Sequence, residues 1–204
     1  MLKKNLVASV IGANGSGKAG VRDALVETFD LIPVEMSHAI KLKHKDSSFS
    51  ERFPRDTKKN YPDEAVEEAF TAYIDRYANN IGFVIDGAPR SVGQVHMLRE
   101  IFNPQHYNLL FLHLVCPRHE CEERVRGRRD SMMEAGLPVR EEDRPEHLSN
   151  RLDEHFGGIE FILTEIGSIF GALIEVDARK SQEAVLLDAV KKVNDLLGAG
   201  YSKI

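Results

Sequence analysis

Seven consecutive residues carry the first recognisable chemistry: Gly12-Ala13-Asn14-Gly15-Ser16-Gly17-Lys18. Three glycines within six positions let the backbone fold tightly and turn successive N–H groups toward one anion with no Cβ in the way. A helix that starts directly after the loop adds its positive N-terminal end, and Lys18 brings a mobile ammonium to the outer phosphates. The arrangement suits the β and γ phosphates of a nucleotide. The usual form of the motif closes with Ser or Thr, whose hydroxyl ligates Mg2+; here Ala19 and Gly20 follow. A plain Gly-rich turn is the alternative, and the strand-to-helix setting of the whole stretch argues against it.

A second group is Asp86-Gly87-Ala88-Pro89-Arg90. Phe83 to Ile85 read as a buried strand, which puts Asp86 at its carboxyl end. Open α/β sheets bind ligands outside those ends, so Asp86 and Arg90 fall on the side of the phosphate loop. Asp86 can hold Mg2+ or its waters, and Arg90 can fork onto a second phosphate.

A third group is the run Arg124, Arg126, Arg128, Arg129, Arg140, Arg144 and Arg151, interleaved with acids. Alone it describes a pair of solvated, salt-bridged helices. Gly136 and Pro138 break it into two arms joined by a loop, and two Arg-bearing arms can close over a polyphosphate. Cys116, His119 and Cys121 lack the fourth ligand and the paired spacing of a tetrahedral zinc site; they read as a strand end and helix start with buried thiols. His113, inside the apolar run Leu109 to Val115, reads as a satisfied core histidine.

These groups need a scaffold, and the chain alternates strand and helix patterns in the right places. Leu6 to Ile11 is an apolar strand leading into the loop. Val21 to Phe29 has helical spacing, Leu31 to Met36 reads as a short strand, and Ser37 as the N-cap of a helix through Leu42. Residues 43–60 are polar and weakly periodic, as a loop or small lobe would be. Helices are expected from Tyr61 to Ile74 and from Val92 to Phe102, a last strand over Ile169 to Val176, a final helix over Gln182 to Leu197, and a frayed tail beyond Gly198. The 204 residues and 42% hydrophobic content suit one α/β domain. A net charge of -5 offers no excess of positive charge to nucleic acid. No run reaches the length of a membrane span, and the sparse cysteines suit a reducing cytosol, so a cytoplasmic location is expected.

With the loop, Asp86-Gly-x-Pro-Arg90 followed by Gln94, Arg124-x-x-Gly127-Arg128-Arg129, and Arg140 through Asp143 to Arg151-Leu152 in order, the chain resembles the adenylate kinase family of nucleoside monophosphate kinases. The resemblance implies a P-loop fold, a five-stranded parallel sheet with helices on both faces. It divides the chain into a core (1–36, 71–126 and 152–204), a monophosphate-binding lobe (37–70) and a short lid with its flanking arms (127–151), without zinc. It implies transfer of phosphate from ATP-Mg to a nucleoside monophosphate, AMP first, by a monomer needing neither nucleic acid nor membrane.

By the same resemblance, Gly12, Asn14, Gly15, Ser16, Gly17, Lys18, Ala19 and Gly20 would hold the ATP phosphates, with Arg124 and Arg128 neutralising ATP from the lid and Lys180 beside its adenine. Met36, Ser37, Lys41, Tyr61, Gly87, Arg90 and Gln94 would bind the monophosphate nucleotide, Gln94 reading the adenine edge. Arg140 and Arg151 would bridge the group in flight, completing a catalytic set of Lys18, Arg90, Arg128, Arg140 and Arg151, while Asp86 would meet Mg2+ through water. The chain departs from the family pattern at Ala19-Gly20, at Met36-Ser37-His38-Ala39-Ile40-Lys41, where the family has Thr-Gly-Asp-Leu-Leu-Arg, and at Ala88, where it has Phe. Those departures keep two other readings open: a non-catalytic nucleotide-binding module, and a kinase for another monophosphate or small metabolite.

Overall fold

The computed structural model describes residues 5–55, 60–77, 82–103, 106–171 and 173–198. Strand β1, Leu6–Ile11, is buried at every position. It lies at the centre of a five-stranded sheet ordered β2-β3-β1-β4-β5, with β2 Ile32–Glu35, β3 Phe83–Asp86, β4 Asn108–Val115 and β5 Leu173–Asp177. All pairings are parallel. Parallel strands need crossovers that cover both faces of the sheet, which is why β1 and β4 are near-continuous apolar runs.

The helices are α1 Lys18–Phe29, α2 Met36–Lys43, α3 Ser47–Arg52, α4 Asp63–Ile74, α5 Val92–Ile101, α6 Arg118–Glu134, α7 Pro145–Phe170 and α8 Gln182–Gly198. A 3-10 turn, Glu141–Asp143, precedes α7. Side-chain alternation along β1 splits the core in two. Val7 and Ile11 join Ile85 and Phe111 beneath α4, α5 and α7, while Leu6, Ala8 and Val10 join Leu110 and Leu112 beneath α1 and α8. The expected three-layer P-loop architecture is therefore the one the chain forms.

Four local expectations need correction. The stretch 43–60 contains α3, which six residues are too few to announce by periodicity. Asp46 caps it by accepting from Ser48 N at 3.0 Å, and Phe49 anchors it with no exposed surface. Ser37 is not a cap, because β2 runs directly into α2 with Glu35 at the cap position and Met36 already helical and buried. Helix α6 continues past Asp130 to Glu134, so the break in the Arg run starts at Ala135. Ile169 and Phe170 form the last turn of α7, not a strand; Gly171, with φ 64°, ends that helix in the left-handed conformation before β5 begins at Leu173. The tail expected to fray, 199–204, lies outside the described residues.

Candidate active site

The phosphate loop needs its glycines for two separate reasons. Gly15 and Gly17 have φ of 92° and 94°, a region costly for other residues. A Cβ on Gly15 would also stand 2.4 Å from the Cys121 carbonyl oxygen in α6, and one on Gly12 would stand 2.5 Å from Ser16 Oγ. Ser16 is buried, and its hydroxyl has no hydrogen-bond partner among the described residues. Gly17 caps α1 without a side-chain bond, so the first N–H groups of that helix stay open to an anion.

Lys18 folds back over this loop, donating to the Gly12 oxygen at 2.7 Å and the Ala13 oxygen at 2.9 Å. Burial of its ammonium lowers its pKa to about 8; Asp86 opposes the shift, and Arg90 and Arg128 add to it. Lys18 thus sits among the charges of three other elements. The loss of a hydroxyl at position 20 has a packing correlate. A Cβ on Gly20 would lie 3.3 Å from Gln182 Nε2 and 3.4 Å from Leu186 Cδ2, so the glycine lets α8 come close to α1.

Across the sheet, Asp86 is the register partner of Val10, two residues before the loop. Ser9, on β1, donates to the Ala88 oxygen at 2.6 Å and ties the turn after β3 to the strand that feeds the loop. Arg90 Nε donates to the Gly87 oxygen at 2.9 Å, and its Nη1 donates to Asn60 Oδ1 at the same distance. The guanidinium is reachable by solvent yet lies in the cleft. Burial, then the nearby Arg151, lowers its pKa, opposed by Asp86. Its geometry is set from behind: Arg90 N donates to Gln94 Oε1 at 2.8 Å, and Gln94 Nε2 donates to Asp63 Oδ1 at 2.9 Å. Ser91 caps α5 and donates to the same carboxylate at 2.7 Å. Gly93 is needed there, since its Cβ would lie 2.3 Å from Asp63 Oδ2.

Gln94 is therefore buried, with both ends of its amide already engaged. A base read from this position would use its remaining proton and lone pair. Gly87, Met36 and Arg90 meet, because a Cβ on Gly87 would stand 3.5 Å from both Met36 Cβ and an Arg90 terminal nitrogen. Tyr61 bonds through its hydroxyl to His44 Nε2 at 2.7 Å. Asn14 is partly buried in the loop. Ser37, Lys41, Arg140 and Lys180 are exposed, as is Ala19.

Much of the Arg run is ion-paired. Arg124 reaches Glu120 at 3.2 Å and Cys116 Sγ at 3.6 Å. Arg128 forks onto Asp143, at 2.6 and 2.8 Å, and that carboxylate has no exposed surface. Arg151 faces the cleft beside Arg90, with its Nε buried and unbonded among the described residues. Cys116 and Cys121 are buried free thiols as expected, and burial pushes Cys121 up to about 12. His113 is not satisfied: its Nδ1 is buried without a hydrogen bond and stands 3.8 Å from Glu175 Oε1.

Several residues of this site left no local mark in the sequence. Ser9 and Asp63 act through partners 79 and 31 positions away. His155 lies one turn beyond Arg151 on α7; burial, then Lys18, His113 and Arg90, lowers its pKa to about 4 and keeps it neutral. Arg22 binds both Glu35 and Asp86. The spacing of Arg151 and His155, four apart on one helix, was the only available signal.

The residues near the loop fit a magnesium ion that arrives on nucleotide phosphates. Asp86 offers one carboxylate at the strand end, Ala19 and Gly20 offer no hydroxyl, and no group of three His, Cys, Asp or Glu side chains among the described residues could hold a metal by itself. No described helix is long and apolar enough to cross a membrane.

A parallel sheet whose central strand feeds a glycine-rich phosphate loop, with Asp86 and Arg90 beside it and arginine arms beyond, is a P-loop NTPase-like fold. No family model matches the chain. It is similar to the adenylate kinase of Mesomycoplasma hyopneumoniae (strain 7448), 24% identical over 93% of this chain and 99% of that one. It is likewise similar to that of Azobacteroides pseudotrichonymphae genomovar. CFP2, at 24% over 92% and 96%, and to that of Natronomonas pharaonis, at 25% over 92% and 97%. Such relatives across nearly its whole length support a nucleoside monophosphate kinase type of enzyme.

Proposed function

We propose that the protein transfers a phosphoryl group from ATP-Mg to a nucleoside monophosphate, AMP first, giving two ADP. The observation that carries this reading is the convergence of Lys18, Asp86, Arg90, Arg128 and Arg151 at one edge of the sheet, from four different elements. Phosphoryl transfer passes through a loose transition state with negative charge on the equatorial oxygens, so catalysis is mostly alignment and cationic stabilisation.

In this reading the ATP phosphates take the loop N–H groups, the Ser16 hydroxyl that lacks a protein partner, and the Lys18 ammonium, which exchanges the Gly12 and Ala13 oxygens for phosphate. Arg90, fixed by Gly87 and Gln94, grips the acceptor phosphate, and Arg151 approaches from the other side. Arg128, Arg124 and Arg140 act from the lid. Asp86 would hold a magnesium ion brought in with the nucleotide, and that ion would supply charge screening for the phosphates. The lobe 37–70 reaches the lid through Arg55 and Glu141, and reaches α7 of the core through Asn60 and Glu154. Closure of lobe and lid excludes water from the transferring group.

The test is coupled ADP formation from ATP-Mg with AMP, CMP, UMP and GMP beside a blank without acceptor. AMP is expected to give the highest kcat/KM. Preference for another base keeps the mechanism and moves specificity to Met36, Ser37 and Lys41. A second reading, a nucleotide-binding module without turnover, is favoured by the missing hydroxyl at Gly20 and by the engagement of Arg128 with Asp143. It predicts nucleotide binding by calorimetry with no product above the blank.

A further inference from the structure

Glu35 and Asp86 end two adjacent parallel strands and are direct register partners. Neighbouring strands lie about 4.8 Å apart, so two carboxylates stand side by side at the sheet edge, where like charges oppose each other's ionisation. Arg22 comes between them. It lies four residues after Lys18 on α1, one turn further along the same face. Its Nη1 reaches Glu35 Oε1 at 2.5 Å and Asp86 Oδ2 at 3.4 Å, and its Nε is braced by Asp23 Oδ1 at 2.8 Å. The Arg22 and Asp86 side chains are only 14% and 17% exposed, whereas Glu35 is 47% exposed.

We propose that Arg22 is a positioning residue for Asp86: a built-in counter-ion that holds the Glu35–Asp86 pair and lets a divalent cation reach Asp86 only together with nucleotide. The role of Asp86 toward that cation rests on the function proposed above. A guanidinium cannot lose its charge in a protein, so this cation is permanent, unlike the mobile and titratable Lys18. Arg22 offsets one of the two carboxylate charges of the pair, which weakens their attraction for a free metal ion. The phosphates of ATP supply the missing negative oxygens. Arg22 contacts Asp86 through Oδ2, at 3.4 Å, which leaves Oδ1 to a further ligand.

Mn2+ serves as the probe, its binding read from loss of the free-ion electron paramagnetic resonance signal. Nucleotide-free wild-type protein is expected to leave Mn2+ free, and Arg22→Gln to gain a site at least about tenfold tighter as the two bare carboxylates face each other. Arg22→Lys is expected to keep the exclusion, and Arg22→Gln with Glu35→Gln to lose the gained site. Wild-type uptake equal to that of Arg22→Gln, or no gain in Arg22→Gln, overturns the proposal. Should Arg22→Gln fail to fold, Glu35→Gln decides. It leaves Arg22 to Asp86 and Asp23 and is expected to weaken Mn2+ capture in the ATP complex several-fold, and an unchanged affinity overturns the proposal. Failure of wild-type protein to bind Mn2+ with ATP, alongside a gained site in Arg22→Gln, would sink the kinase reading and the nucleotide-dependent entry, and leave only the exclusion by Arg22 standing.

Discussion

Lys18 is held at a cost to stability. Its pKa is about 8 when folded, against 10.5 when unfolded, because its ammonium is buried among Arg90 and Arg128 with Asp86 as the opposing charge. Between those two values the unfolded chain holds more protons than the folded one, so this group makes stability rise with pH. Thermal melts of the nucleotide-free protein at successive pH values are expected to show that rise in wild type, and Lys18→Met is expected to flatten it. An identical slope in the variant would mean that Lys18 is not strained in this way. The same proton works the other way in binding. Above pH 8 ATP must bring the ammonium back, so affinity is expected to fall as pH rises. At this scale the sequence showed which residues could meet phosphate, since glycine, lysine and arginine types carry their chemistry with them. It did not show that Gln94 braces Arg90, or that Arg22 shares Asp86, because those are contacts across 4 and 64 positions that only the fold creates.

Helices α1 and α8 are separated by the width of a missing side chain. Gly20→Thr restores a hydroxyl near the loop but presses on Gln182 and Leu186, where a Cβ would already be 3.3 and 3.4 Å from its neighbours. Overpacking of this kind costs about 1 kcal/mol, and chemical denaturation is expected to show that loss, with Leu186→Ala relieving part of it. Between α6 and the turn before α7, the Arg128–Asp143 fork holds the lid arm to the base of α7. Asp143→Ala is expected to cost about 2 kcal/mol, less than a fully buried pair because Arg128 is 36% exposed. A loss under about 0.5 kcal/mol would show that the fork contributes nothing net. Long apolar periodicity made α4, α5 and α8 readable in advance. Helix α3 was hidden because six residues do not establish a period, and the end of α7 was misread because Ile169 and Phe170 continue an apolar stretch whose true boundary is the positive φ of Gly171.

Over the whole molecule, the segments 37–70 and 127–151 meet at an exposed ion pair, Arg55–Glu141. Arg55 and Glu141 are 59% and 38% exposed, so Arg55→Ala is expected to change stability by less than about 0.5 kcal/mol. Its effect belongs instead to closure: the acceptor KM is expected to rise at low salt and converge with wild type at high salt, as screening removes the pair. A salt-independent difference would assign Arg55 another role. The layered α/β architecture was legible because strands and helices alternate along the chain and the phosphate loop fixes the central strand. Strand order β2-β3-β1-β4-β5 was not, since no local pattern says which strands pair. The most direct test is phosphorus magnetic resonance of ATP-Mg and AMP mixed with the protein. The account predicts two ADP for each AMP consumed, with no inorganic phosphate and about a hundredfold or greater loss of rate in Lys18→Ala. Inorganic phosphate without loss of AMP, or unchanged spectra despite ATP binding, would contradict it.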